Sequence, residues 1–194
     1  MRSVIRSLVV VMAMVGFLAP AGLALAQEEG DWKSLDQEAK RQKIQETCQA
    51  TAEKVAADNP KAKELFDKSY GWAAFDNTKV AFGISGGGGN GMAVNKMTGE
   101  KTYMKMGTGG IGLGIGVQSY QVFFLFENET TFNNFVNKGW QADASAQAAA
   151  GKAAAGAQTG FVNGVAIYQI TDKGLIASAD VSGTKYSKND KLNK

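Results

Sequence analysis

The chemistry open to this chain is bounded first by the side chains it lacks. Among 194 residues there is no histidine and a single cysteine, Cys48. Ser-His and Cys-His nucleophile pairs are therefore excluded, and so are the usual ligand sets for zinc and copper. One cysteine cannot close an internal disulfide, so stability must come from packing. A carboxylate mechanism survives as an alternative, with acids such as Asp143 or Asp180, but no spacing between acids marks a catalytic pair. The reading of these residues is an absence of catalysis, with no cofactor and no metal.

Two runs have the spacing G-x-G-x-x-G, Gly86–Gly91 and Gly107–Gly112. A dinucleotide fingerprint needs a helix directly after the glycines, so that its positive end faces the pyrophosphate. Strand-forming residues follow both runs, and neither is read as a nucleotide site. From Gly110 to Val117 glycines alternate with Ile111, Leu113, Ile115 and Val117. A period of two puts the aliphatics on one face of a strand and bare backbone on the other. Interior glycines cost about 0.5–1 kcal/mol each, so this bald face is expected to serve close packing or tight curvature.

The remaining candidate site is a surface. A capping-box pattern at Ser34-Leu35-Asp36-Gln37 predicts a helix from about Leu35 to Asp58, with Ile44, Cys48, Ala52 and Val55 along one apolar face. Cys48 then reads as a small packing residue, with a reactive thiol as the alternative. Lys33, Lys40, Lys43 and Lys54 share a sector beside that face. They form a weak basic amphipathic edge that could rest on anionic headgroups, with exposed aromatics near Trp72 adding apolar contact. Asp36 and Asp58 share the sector, so a plain solvated face is the competing reading.

The elements that position these residues fall in a simple order. Arg2 and Arg6, an apolar stretch from Leu8 to Leu18 and the small-residue site Ala24-Leu25-Ala26 predict a leader over residues 1–26. The run is too short for a comfortable span of about 20 residues, and no cysteine stands at the site for acylation. The expected location is the periplasm or the exterior. Without the leader, 21 basic residues become 19 against 18 acidic ones. That near-neutral balance does not support nucleic-acid binding, despite a sequence pI of about 8.9. Residues 27–186 are expected to form one domain, and residues 187–194 a solvated tail.

After a short helix capped by Asn59-Pro60, the texture turns to aromatics, β-branched residues and glycine. Strands are expected at 71–75, 79–85, 91–95, 101–106, 110–117 and 120–127, with hairpin turns at Gly86–Asn90 and Met97–Glu100. Asn128 caps a further short helix bearing Phe132, Phe135 and Val136, which explains Asn128-Glu129-Thr130 without glycosylation. From Trp140 to about Ala150 alternation favours a strand while alanine content favours a helix; the strand is the reading taken here. Strands at 164–171 and 174–182 close the domain.

Taken together, Ala73-Ala74-Phe75, Lys79–Gly83, the turn at Gly86–Gly91, the run Gly109–Tyr120, Phe123-Phe124-Leu125-Phe126, Phe132–Phe135 and Gly174–Ala177 leading to Gly183 resemble the SYLF-domain proteins. The resemblance runs from about Ala39 to Tyr186. It implies an α+β fold, with amino-terminal helices followed by a strongly curved, barrel-like antiparallel sheet. It also implies binding of phospholipid or another amphiphile at a membrane surface. Eukaryotic members engage phosphoinositides and some bind actin, partners that an exported chain would not meet. Where those members tend to carry Gly-Pro and then arginine, this chain has Gly151-Lys152-Ala153. A structural envelope protein that self-associates, as a homo-oligomer, or binds a protein partner is the alternative.

Overall fold

The computed structural model describes residues 21–141, 160–171, 174–176 and 183–194. The chain divides into residues 1–36 and 37–194, and the second unit holds the sheet. Helix α1 spans Ala21–Asp58, α2 Pro60–Lys68 and α3 Glu129–Lys138. The strands are β1 Gly71–Asn95, β2 Lys101–Phe126, β3 Trp140–Gln141, β4 Val165–Thr171, β5 Gly174–Ile176 and β6 Thr184–Lys188. Helix α1 therefore begins upstream of the capping box at Ser34. No proline lies between Ala21 and Asp58, so nothing in that stretch forces a break. The small-residue site Ala24-Leu25-Ala26 lies within this helix, and residues 1–20 lie outside the described residues.

Local signals set the helix ends. The Asn59 side chain accepts from the amides of Lys61 and Ala62 at 3.0 Å, with Pro60 inside the first turn. The Asn128 side chain accepts from the Thr131 amide at 3.0 Å and opens α3. At the other end of α2, the Lys96 ammonium donates to the carbonyls of Phe66 and Asp67, where cations complement the helix dipole.

The expected six-strand meander is replaced by one long ribbon. β1 pairs antiparallel with β2 from Gly71↔Phe126 to Val94↔Lys101, with a single register shift between Phe82 and Ile84. Gly86–Asn90 is thus strand interior and not a hairpin turn. The turn at Met97–Glu100 is present: Asn95 accepts from the amides of Met97 and Thr98, and Gly99 sits at φ +75°. On its other edge β2 takes β6 over Met104–Thr108 and β4 over Gln121–Phe126. The order is β3-β6-β2-β4-β5, with β1 along the opposite edge of β2.

The missing turn has a physical cause in the glycines. A Cβ added at Gly87 would stand 2.5 Å from the Thr78 carbonyl oxygen, and one at Gly89 2.5 Å from that of Asp76. One at Gly91 would strike the Ala74 carbonyl and the Phe75 ring. The second half of β1 therefore lies against its own first half. Glycine there removes the side chains that would block the fold-back, and the sheet curls into a half-barrel. The close-packing role expected along Gly110–Gly116 is not seen at its two ends, while the surroundings of Gly112 and Gly114 lie outside what is described. A Cβ at Gly110 would meet only Ser85 Oγ at 3.7 Å, and one at Gly116 nothing within 4 Å.

Alternation along the ribbon builds two cores. Ala73, Phe75, Phe124 and Phe126 face one side, with Phe132 and Phe135 of α3 and Tyr186 of β6. Trp72, Ala74, Phe123 and Leu125 face the other, with Cys48, Ala52 and Val55 of α1 and Leu65 of α2. The run Phe123-Phe124-Leu125-Phe126 is buried on both faces, as an apolar sequence without alternation requires. Phe124 sits at the centre of the first core, its ring 5.0 Å from that of Tyr186 and 5.1 Å from that of Phe135.

Residues 187–194 are not a solvated tail. Leu192 is buried, and Asn193 accepts from the Tyr103 amide at 2.9 Å and donates to the Tyr103 carbonyl at 2.7 Å. Arg41 of α1 donates to the carbonyls of Leu192 and Lys194, each at 2.9 Å. A buried leucine and satisfied backbone groups outweigh the charge of Lys188, Lys191 and Lys194. Of the Trp140 segment only β3 is described, and the expected strand beyond it lies outside the described residues, as does 177–182.

Candidate functional site

Among the described residues further strands pair with the ribbon towards both ends of β2 and not in its middle. Among the described residues no third strand pairs with it between Gly110 and Ser119 of β2. There Val80 stands opposite Val117 and Phe82 opposite Ile115. Directly opposed residues of an antiparallel pair share a face, so these four side chains form one apolar patch. Phe82 is 74% exposed and Ile115 82%, with Val80, Val117 and Ile84 exposed beside them. The opposite face at this level carries only Ala81 and Gly116. No charged residue occurs from Val80 to Asn95 or from Met106 to Phe126.

Exposed apolar residues scattered singly are ordinary; a contiguous patch of them marks an interaction surface. The sequence hid this one because Ile115 and Val117 fit the pattern of a core-facing strand. Periodicity shows that residues share a face, and only the coverage of that face separates core from surface. The signal available was the length of uncharged chain on both sides of the turn.

The basic edge is present in part. Lys40, Lys43 and Lys54 are exposed on α1, while its other side buries Cys48, Ala52 and Val55. Lys54 is paired with Asp58 at 3.0 Å, so one of the acids noted in this sector neutralises it. Lys40 and Lys33 are also engaged, and Lys33 is exposed within the unit of residues 1–36. Trp72 is not a surface aromatic. It is 7% exposed and packs its ring 5.7 Å from that of Phe123, because its strand neighbours alternate into the second core.

The lone thiol and two of the phenols are sequestered, while Asp143 and Asp180 lie outside the described residues. The Cys48 thiol donates to the Ala74 carbonyl at 3.2 Å, and burial pushes its pKa up to about 12 despite the Met92 backbone amide. A buried thiol of this kind is inert. Burial also raises the phenols of Tyr186 and Tyr168. The Asn77 side-chain amide is buried against Gly89 with no hydrogen-bond partner on either atom. Among the described residues there is no group of three or more cysteine, aspartate or glutamate side chains placed to hold a metal ion. Both G-x-G-x-x-G runs lie inside strands, followed by more strand.

Two comparisons bear on this arrangement. Residues 107–194 match the family model described as Las17-binding protein actin regulator, Ysc84. Beta cell expansion factor A of Aeromonas veronii is 45% identical over 129 residues, which is 66% of this chain and 49% of that protein. The chain thus spans about half the length of this curated relative. The matched family segment takes in β2 from Gly107 onward, with the exposed Ile115 and Val117, as well as α3 and β3 to β6. The helices, the curled antiparallel sheet and these matches agree, and residues 107–194 carry the SYLF (Ysc84) family match.

Proposed function

We propose that this chain is an exported, non-catalytic lipid-binding module that associates with a membrane surface. The observation that carries the reading is the exposed apolar patch of Val80, Phe82, Ile115 and Val117, in stretches without charge from Val80 to Asn95 and from Met106 to Phe126. A surface of this kind gains by leaving water, and phospholipid or another amphiphile offers it a matching environment. Export rests on the sequence features of residues 1–26. The absence of catalysis rests on a chain with no histidine and with its one thiol buried.

Vesicle co-sedimentation tests the reading. The purified protein is expected to pellet with phospholipid vesicles and to stay in the supernatant without them. Failure to pellet with both zwitterionic and anionic vesicles at low salt would sink the lipid-binding function. Self-association is the second reading, favoured by the same patch, and light scattering against protein concentration measures it.

A further inference from the structure

We infer that the ribbon around Phe82 and Ile115 is a shallow insertion element that enters the hydrocarbon boundary of a bilayer by apolar contact, with headgroup charge playing a minor part. The inference rests on the lipid-binding reading above and names the part of the membrane that this surface takes.

Three observations carry it. The first is electrostatic. The patch lies in stretches without charge, Val80–Asn95 and Met106–Phe126, with Lys79 next to it along β1, whereas on α1 Lys54 is paired to Asp58 and Lys33 and Lys40 are engaged. Attraction between exposed charges is screened beyond a Debye length of about 10 Å at 0.1 M salt, and apolar contact is not. The second is size. Among the described side chains the patch comprises five, Val80, Phe82, Ile84, Ile115 and Val117, on a ribbon two strands wide. A stable interface with a second copy takes about 20–30 residues a side, with hydrogen-bonding groups at its rim. A membrane asks for no complementary shape, so a small patch suffices there.

The third observation limits the depth. Between Gly110 and Ser119 the ribbon has, among the described residues, no neighbour strand beyond β1 and β2 themselves. Hydrocarbon offers no partner for backbone N–H and C=O groups at an open edge, so the ribbon cannot cross the bilayer alone. Side chains reaching about 5–10 Å into the headgroup and acyl boundary leave those edges in the wet zone. The bare opposite face of Ala81 and Gly116 keeps the ribbon thin, which suits entry between headgroups.

Phe82→Trp, read by quenching from brominated acyl chains, with Phe82→Ser/Ile115→Ser as the loss variant, provides the test. Phosphatidylcholine vesicles, with and without phosphatidylglycerol, are used at about 0.1 M and 0.5 M salt, the range over which screening deepens. Binding to pure phosphatidylcholine that persists at the higher salt, quenching of the Phe82→Trp emission, and a loss of about tenfold or more in partitioning for the double variant are expected. Both changed side chains are exposed, so circular dichroism of the variants should match the parent. Binding that needs phosphatidylglycerol, disappears at high salt and leaves Phe82→Trp unquenched overturns the inference while the lipid-binding reading stands. A dimer that Phe82→Ser/Ile115→Ser converts to monomer, with no quenching, assigns the patch to a second copy and overturns it too. No binding to any vesicle defeats both.

Discussion

Gly89 and Asn77 belong to the same strand and touch across its fold: a Cβ at Gly89 would collide with Asn77 Oδ1 and stand 2.5 Å from the Asp76 carbonyl oxygen. The bend of β1 onto itself depends on that contact. It lets two strands form both the core beneath α3 and the exposed ribbon beyond it.

Gly89→Ala should destabilise the protein by about 1–3 kcal/mol, because the methyl has only rigid backbone and a buried amide to displace. Gly86→Ala is the control, since nothing lies within 4 Å of its added Cβ. Gly86→Ala should be neutral or stabilise by up to about 1 kcal/mol through the unfolded state. Urea denaturation of the two variants decides the matter. Equal stabilities would contradict the fold-back.

Asn77→Val should keep or raise stability, by up to about 1 kcal/mol. The buried amide makes no hydrogen bond, so its desolvation, about 1–3 kcal/mol, is uncompensated and its removal leaves no partner behind. A loss of more than about 1 kcal/mol in thermal or urea unfolding would mean that the amide is held by a group that the structure does not show.

Cys48 should resist dithionitrobenzoate at pH 8 in the folded protein and react at once in denaturant. The same burial makes stability depend on pH. With the folded thiol at about 12 and the unfolded one at about 8.5, the unfolded chain loses its proton first as pH rises. The contribution is complete below about pH 8.5 and is lost upward from there, at up to about 1.4 kcal/mol per pH unit. Tyr186 and Tyr168 add in the same direction from about pH 10, and Lys96, whose ammonium is lowered by desolvation, opposes them there. Cys48→Ala should therefore flatten the slope between pH 8.5 and 9.5, measured by urea unfolding. An unchanged slope would place the thiol near solvent.

Asn193→Ala should cost about 1–3 kcal/mol, since it leaves the Tyr103 amide without its acceptor, while the Tyr103 carbonyl keeps only the Asn189 amide. Removing residues 192–194 should cost more, through loss of the buried Leu192 and of both carbonyls that Arg41 holds. A truncated protein with unchanged melting temperature would restore the solvated tail.

Much of the framework was legible because its signals are local. Asn59-Pro60 and Asn128 act within their own helix turns, and the alternation of Trp72–Phe75 and Phe123–Phe126 sorts side chains by backbone geometry alone. The glycine run at Gly86–Gly91 was misleading because glycine permits a turn and a close approach equally well. Which of the two occurs depends on Thr78, Asp76 and Ala74, which meet that run only after the ribbon has bent.

The sequence by itself determined the class of protein. The aromatic and glycine order pointed to a SYLF-like α+β chain, since residue types and periods survive without coordinates. Tertiary structure alone decided which apolar residues are covered. Trp72 went inside and Phe82 outside, although both are aromatics on the same strand. The physical reason is that burial depends on what arrives from elsewhere in the chain. Phe66 of α2 and Phe123 of β2 cover Trp72, and among the described residues no third strand lies beside Phe82 and Ile115.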